Sequence, residues 1–150
     1  MSDEWCTPER LCEALGEFDL DPCASAFSHV RARTHYSLVH GQNGLELPWV
    51  GSVFCNPPYS RPGINRFCER LSIHDGPWVA LVKLDPTTNW WRTLTDGAEW
   101  SPFRRRIKFE GVRTFTAPFP SALVWHDWAP PAAMYDWIYR VTIRGADASR

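Results

Sequence analysis

The 150-residue chain is 44% hydrophobic and 14% aromatic, and its formal net charge is −1. This length is enough for one domain with its own core, and nine tryptophans argue against a disordered chain. No apolar run approaches the roughly 20 residues of a membrane helix, and the acidic residues 1–4 do not begin a signal peptide. The near-neutral charge excludes nucleic-acid binding by overall charge alone, so any such surface would have to be a local patch.

The cysteines and histidines predict neither disulfides nor a metal site. The five cysteines are scattered and include no C-x-x-C pair, which is typical of reduced thiols in a cytosol. Their spacing to the histidines matches no zinc pattern. We therefore expect a soluble, cytoplasmic protein without a metal.

A helix and then a strand are predicted at the start of the chain. Thr7 is expected to cap the helix and Pro8 to take its first position, where the missing N–H costs nothing. Gly16 ends the helix, since glycine adopts the conformations that close helices at little cost. Residues 18–23 then form a short strand that ends in an acidic turn.

The middle of the chain has a weak region followed by a clear strand and helix. Between residues 24 and 47 the signal is limited to a strand near residues 34–36 and an Asn-Gly turn at 43–44. A strand is predicted at residues 52–56. An amphipathic helix follows, because apolar residues recur at the spacing of one helical face: Ile64, Phe67, Cys68 and Leu71.

Strand and helix signals continue to alternate in the second half. The continuously apolar residues 78–84 are typical of a strand buried on both faces. Further predictions are a helix capped by Thr87 or Thr88, strands at 106–109 and 121–125, and a last segment opened by Pro130 and Pro131. This alternation favours an α/β sheet with helices on its faces. Ligands bind such sheets at the carboxyl ends of the strands, which is where Asp21 and Asn56 are predicted to lie.

The N-P-P-Y sequence at Asn56, Pro57, Pro58 and Tyr59 suits chemistry on a planar amine. An exocyclic amine such as adenine N6 is a poor nucleophile because its lone pair is delocalised into the aromatic ring. The Asn56 side-chain oxygen and the Pro57 carbonyl would each accept one N–H, which turns the lone pair toward a methyl donor. The prolines stiffen the loop and carry no N–H of their own. The plain alternative is that the sequence forms only a turn.

Tyr59 adds a flat surface next to these acceptors. Stacking of a base on an aromatic ring is worth roughly 1–3 kcal/mol, which helps to offset the few kcal/mol needed to extrude a nucleotide from a duplex. Holding the reactants in line supplies a further contribution on the order of 7–11 kcal/mol.

Several segments in the same order resemble the phage-type DNA N-6-adenine methyltransferase family. The resemblance rests on residues 4–8, 18–25, 44–45, 53–60, 83–91, 106–109 and 117–121. It implies a compact Rossmann-like methyltransferase fold, a mostly parallel sheet with helices on both faces, S-adenosylmethionine as cofactor, and adenine in DNA as substrate. It also implies one domain over residues 1–150, with no separate target-recognition domain.

The resemblance also implies roles for individual residues. Trp5, Thr7 and Pro8 are similar to the segment that closes over the methionine end of the cofactor. Asp21, Pro22 and Ala24 are similar to the turn that receives its amino-acid moiety, and residues 56–59 to the catalytic loop. Where related enzymes have glycines after the first strand, this chain has Ser25 to Ser28.

Asn43 stands where the family often has an acid, just before Gly-Leu. Its side-chain oxygen could accept a hydrogen bond from the cofactor adenine, although an uncharged acceptor binds less strongly than a carboxylate. The alternative is that Asn43 only forms the Asn-Gly turn.

Basic residues are candidates for contacts with DNA phosphates. The densest cluster is Arg104, Arg105, Arg106 and Lys108; charges that solvate a strand edge are the alternative. Arg61 and Arg66 flank the catalytic loop, and Lys83 ends a buried strand at the ligand edge.

Two other functions remain open at this point. The same loop suits methyl transfer to a protein glutamine or an RNA base, and the missing glycines are compatible with a non-catalytic binder on a degenerate methyltransferase fold. Because the chain is small, specificity would be low, set by loops, or supplied by a partner or a second copy in a homodimer. Kinship with a phage-encoded group implies action in a bacterial cytoplasm, in the context of restriction and modification.

Overall fold

The computed structural model describes residues 5–110 and 115–145; the acidic residues 1–4, with Glu4 of the first similar segment, lie outside them. The described chain contains these helices: α1 (Glu9–Leu15), α2 (Gly63–Ser72), α3 (Asn89–Thr95) and two short 3-10 helices (Leu38–His40, Ala132–Asp136). Its strands are β1 (Glu17–Asp21), β2 (Arg31–His35), β3 (Val53–Cys55), β4 (Trp78–Lys83), β5 (Glu99–Pro102), β6 (Lys108–Phe109), β7 (Phe115–Thr116), β8 (Ser121–His126) and β9 (Ile143–Arg144).

Seven strands form one sheet in the order β2-β1-β3-β4-β8-β5-β9, while β6 and β7 form a separate hairpin. The α/β class is therefore confirmed. The expected dominance of parallel pairs is not confirmed, because β2, β1, β3 and β4 are mutually parallel but each pair beyond β4 is antiparallel. The reason lies in the start of β8, where Ser121 pairs with Lys83 at the end of β4. A strand that enters the sheet at that edge has to run the opposite way.

Helices cover both faces of the sheet. Along β4, Ala80 and Val82 pack with α2 and α3, whereas Val79 and Leu81 pack with α1 and the second 3-10 helix. This alternation follows from the two-residue period of a strand. The central strands are buried on both sides, which explains why their sequences are continuously apolar.

Most helix predictions are confirmed, with one shift at the first helix. α1 begins at Glu9 with Pro8 at the N-cap, and no side chain caps it. Thr7 is thus not the cap, because its hydroxyl faces Asn56 instead. Gly16 ends α1 with φ +89°, and Thr88 caps α3 by accepting a hydrogen bond from the Trp91 N–H.

Some strand predictions were wrong in extent. The strand predicted at 106–109 is reduced to Lys108–Phe109, and just before it the Ile107 carbonyl accepts a hydrogen bond from the Ala117 N–H. Strands β5 and β9 were not predicted. β9 has two exposed residues, and β5 ends in a proline, so neither has a clear alternation of apolar and polar residues.

The predicted ligand edge forms as expected from the parallel part of the sheet. β1, β3 and β4 end there at Asp21, Cys55 and Lys83. Asn56 directly follows β3, so the catalytic-loop candidate and Asp21 lie at the same edge. Within the described residues, no helix has the length and apolar character needed to span a membrane.

Candidate functional site

A cavity of about 340 Å³ opens at this edge of the sheet. Its wall is built by the segment before α1, the turn after β1, the first 3-10 helix with the Asn-Gly turn, and the loop after β3. Of the predicted cofactor residues, all except Pro8 line it, together with two residues of the N-P-P-Y loop: Trp5, Thr7, Asp21, Pro22, Ala24, Asn43, Asn56 and Pro58.

The Asn56 side chain is fixed in one orientation. Its Nδ2 donates to the Trp5 carbonyl and, at 3.1 Å, to the Thr7 hydroxyl. Because a backbone carbonyl can only accept, the amide nitrogen must face Trp5 and Oδ1 must face the opposite way. There Oδ1 accepts from the Tyr59 hydroxyl at 2.9 Å. An amide oxygen has two acceptor sites, so one remains for a ligand.

The two prolines leave a further acceptor next to Asn56. Pro57 is buried and Pro58 lines the cavity, and neither carries an N–H. Within the described residues, no donor is paired with the Pro57 carbonyl. The loop thus combines an amide oxygen that has a second acceptor site with a backbone carbonyl that has no donor among the described residues, although Pro57 and Tyr59 do not themselves line the cavity.

Tyr59 is held in place through its hydroxyl, which lies 2.9 Å from Asn56 Oδ1 and 3.1 Å from the Leu81 carbonyl. Its ring stacks on Trp5, with centroids 5.8 Å apart and planes inclined by 23°, and meets Phe119 edge-on at 5.5 Å. One face of the ring expected to hold a base is therefore covered by an indole of the same chain.

Trp5 itself lies in an aromatic cluster. Besides Tyr59, it contacts Phe109, Phe115 and Phe119 at centroid distances between 5.1 and 5.5 Å. Its indole Nε1 is buried and has no hydrogen-bond partner among the described residues. An unpaired buried donor reduces the stability of this packing.

Asp21 supplies a buried carboxyl group to the cavity. Burial raises its pKa to about 6, against the smaller opposing effects of a 3.2 Å hydrogen bond from the Cys23 N–H, the nearby His35 and the Ser28 hydroxyl. Only 3% of the residue is exposed. A desolvated carboxyl in a ligand cavity is suited to receiving a cationic group, because such a partner compensates the cost of burying the charge.

The serine-rich turn after β1 takes the place of the glycines found in related enzymes. The Ser25 hydroxyl accepts from the Phe27 N–H and donates to Cys6 Sγ, and the Ser28 hydroxyl bonds to Asp21. The serine hydroxyls thus stabilise this turn through side-chain hydrogen bonds, whereas glycines would form it through their conformational freedom.

Asn43 forms a turn and lines the cavity at the same time. Its Oδ1 accepts from the Leu45 N–H at 3.0 Å, and its carbonyl accepts from Glu46. The turn interpretation of Asn43 is therefore supported, and one lone pair of Oδ1 is already in use. The contact to the cofactor adenine stays a prediction.

Gly44 packs directly against the turn after β1. A Cβ at this position would overlap the Pro22 carbonyl oxygen and lie 2.8 Å from its carbon. The Gly44 carbonyl accepts a 2.7 Å hydrogen bond from the Trp49 indole, which holds the loop from the other side. The two walls of the cavity therefore meet at a position that only glycine can fill.

The basic residues lie in three places. Lys83 Nζ is 5.1 Å from the centre of the Phe119 ring, next to the aromatic cluster. Arg61 is exposed between the loop and α2, and Arg66 is exposed within α2. The structure does not bring the densest cluster to the cavity; it lines a separate groove beside α1: Arg104, Arg105, Arg106 and Lys108.

Sequence reasoning missed part of the cavity wall. Tyr36, Ser37, Leu38 and Gln42 line the cavity but lie in the segment with the weakest sequence signal. Their side chains follow neither a helical nor a strand period, so only the three-dimensional structure brings them together. The described residues contain no group of three or more His, Cys, Asp or Glu placed to hold a metal ion.

An α/β sheet with a cavity at its carboxyl edge, a buried acid and a proline-stiffened amide loop defines a ligand-binding site suited to amine chemistry. The family model described as DNA N-6-adenine-methyltransferase (Dam) matches residues 1–117, and the chain belongs to this family. Its general class is therefore that of DNA adenine methyltransferases. No curated protein and no solved structure is similar enough to the chain to count as a match.

Proposed function

We propose that the protein transfers a methyl group from S-adenosylmethionine to N6 of an adenine that has left the DNA duplex. The observation that carries this proposal is the fixed orientation of Asn56, which lines the cavity and whose Oδ1 has one acceptor site beyond the Tyr59 contact. In the reaction the N6–carbon bond forms as the sulfur–carbon bond breaks, which leaves S-adenosylhomocysteine, and the methylated nitrogen then loses one proton to water.

The size of the cavity and its buried acid support the assignment of this cofactor. Its volume of about 340 Å³ lies within the range of small-molecule sites. The Asp21 carboxylate would hold the ammonium group of the methionine moiety, and the segment with Trp5 and Thr7 would close over it. When bound, the cofactor supplies an electrophilic methyl group on a sulfonium.

The loop residues would prepare the amine. Asn56 Oδ1 and the Pro57 carbonyl each accept one N6 hydrogen, so the nitrogen becomes more tetrahedral and its lone pair faces the methyl group. No ionised base is needed for this step. Tyr59, held by its hydroxyl, presents its ring to the base once the Trp5 indole has left the shared face.

A methylation assay tests the proposal and separates it from the other acceptors. Purified protein is incubated with labelled S-adenosylmethionine and duplex DNA of mixed sequence, with total RNA and with a protein extract. The DNA is then digested and its nucleosides analysed by mass spectrometry. We expect N6-methyldeoxyadenosine. Label in RNA or protein with unmodified DNA would contradict the adenine proposal, and failure to bind the cofactor would favour a non-catalytic binder.

Cofactor affinity is expected to depend on pH through Asp21. Because burial raises its pKa to about 6, the free protein is largely protonated at Asp21 below that pH. Binding an ammonium group requires the carboxylate, so affinity should be constant above about pH 7 and fall by up to tenfold per unit below pH 6. Calorimetry with S-adenosylhomocysteine between pH 5 and 8 measures this dependence.

The control for this experiment is Asp21→Asn, which should bind more weakly at pH 8 and lose the dependence between pH 5 and 7. Unfolding at low pH does not explain the expected loss of cofactor affinity. A carboxyl whose pKa is raised by folding favours the folded state at low pH, and this contribution disappears as the pH rises through about 6. Equal pH profiles for the two proteins would contradict the role of Asp21.

A further inference from the structure

A groove of about 670 Å³ beside α1 concentrates positive charge on a chain that is negative overall. Two separate elements supply its cations: Arg10, Arg104, Arg105, Arg106 and Lys108. Only two carboxylates, Glu13 and Asp136, line the same groove. The local charge is therefore about +3, and we call this surface the basic groove.

The basic groove has a fixed backbone. The Arg104 N–H donates to the Trp137 carbonyl, and its guanidinium reaches the Tyr135 carbonyl at 3.3 Å. Ile107 and Phe109 are buried, whereas Lys108 between them and the consecutive Arg104, Arg105 and Arg106 before them are exposed. The buried side chains therefore anchor this strip of the chain, and its cations face solvent.

The charges on this strip are available for a ligand. Among the described residues, no carboxylate lies within 4 Å of the five cations, and one of the two groove acids, Glu13, is paired with Arg31 at 3.9 Å instead. Arg10 of α1 comes from a distant part of the chain and lies at the same groove as the other four cations. The fold therefore gathers positive charge here, which favours a binding surface over mere solvation.

The groove and the catalytic-loop candidate lie at the same edge of the sheet. β5 runs parallel to β4, so its carboxyl end, from which Arg104 follows, is at the same edge of the sheet as the cavity. At its other end the strip reaches Glu110, which pairs with Cys6. Cys6 stands between Trp5 and Thr7, the two residues that hold Asn56.

We propose that the basic groove binds the phosphate backbone of duplex DNA and fixes the position from which a nucleotide reaches the cavity. This inference rests on the proposed function and adds the surface that binds the partner. Phosphate contacts position a protein on DNA without reading its sequence, and a small chain with near-neutral charge needs such a local surface.

The proposal has a quantitative consequence for salt dependence. Each phosphate neutralised by an arginine or lysine contributes about 0.9 to the slope of log affinity against log salt. Removing three groove arginines should therefore make the slope shallower by about 2.7. Loss of the same three charges elsewhere should leave the slope almost unchanged.

The experiment compares R104S/R105S/R106S with the control R33S/R92S/R144S, which removes three exposed arginines from β2, α3 and β9. Binding to a fluorescein-labelled 30-base-pair duplex is followed by anisotropy from 50 to 300 mM NaCl, and cofactor binding by calorimetry. We expect the groove variant to lose more than tenfold in DNA affinity with the shallower slope, and both variants to keep cofactor affinity. R105S/R106S spares the Arg104 contact to Tyr135 and should show about two thirds of the slope change.

Several outcomes would overturn the proposal. One is an equal loss of DNA affinity in both triple variants, and another is an unchanged salt dependence in the groove variants. A loss of DNA affinity confined to R61S/R66S, or no DNA binding by the native protein at 50 mM NaCl, would also do so. Failure of the proposed function looks different. In that case the native protein binds DNA through the groove but produces no methylated adenine.

Discussion

Asn56→Ala is expected to lower the rate of methyl transfer by about 10²–10³-fold, the range found when one preorganised hydrogen-bonding group is removed from an active site. The substitution removes the oxygen that would orient the amine, while Asp21 and the rest of the cavity wall remain. Cofactor affinity should therefore change only a few-fold. Single-turnover methylation and calorimetry measure the two effects separately.

Asn89→Ala provides a matched control for this variant. Asn89 is exposed at the start of α3, and its side-chain oxygen accepts from Arg92 three residues further on. The same chemical change should leave methylation intact there. The role of Asn56 would be refuted if its alanine variant lost cofactor affinity but kept the native turnover rate.

Gly44→Ala is expected to abolish cofactor binding and to destabilise the fold by about 1–3 kcal/mol or more, the usual cost of overpacking. The added Cβ would overlap the Pro22 carbonyl, and neither backbone can yield freely. Gly44 is tied to the Trp49 indole, and Pro22 directly follows β1. Thermal unfolding and calorimetry with S-adenosylhomocysteine measure both losses.

Gly41→Ala separates this clash from the general cost of replacing a glycine. Gly41 lies three residues earlier, with φ +74° and no atom near the position of a Cβ. Its alanine variant should lose about 1–2 kcal/mol through the left-handed backbone alone and should still bind the cofactor. If Gly44→Ala melted and bound like Gly41→Ala, the close approach of the two loops would not be essential.

The parts of the fold that could be predicted carry a local signal. The stripe of α2 and the continuously apolar β4 identify these elements because burial imposes its period on neighbouring residues. The position of Asn56 after β3 then followed from the general rule that parallel strands end at one edge. That rule was sufficient to place Asp21 and Asn56 around one cavity.

Other parts depend on contacts between distant segments. The Trp5 carbonyl meets an amide 51 residues away, and no local pattern in residues 5–8 indicates that contact. The direction of β8 is set by where the preceding hairpin returns to the sheet. The first 3-10 helix contributes exposed apolar residues, Leu38 and Val39, whose place in the cavity wall follows only from the folded chain.

If Tyr59 receives the base as proposed, the stack of Trp5 on Tyr59 makes the indole an intramolecular competitor for the substrate base. A group attached to the same chain acts at an effective concentration on the order of millimolar, so an arriving purine has to displace the indole as well as leave its duplex. A base that is already extruded from the duplex would displace the indole at a lower total free-energy cost than a base that is still paired and stacked.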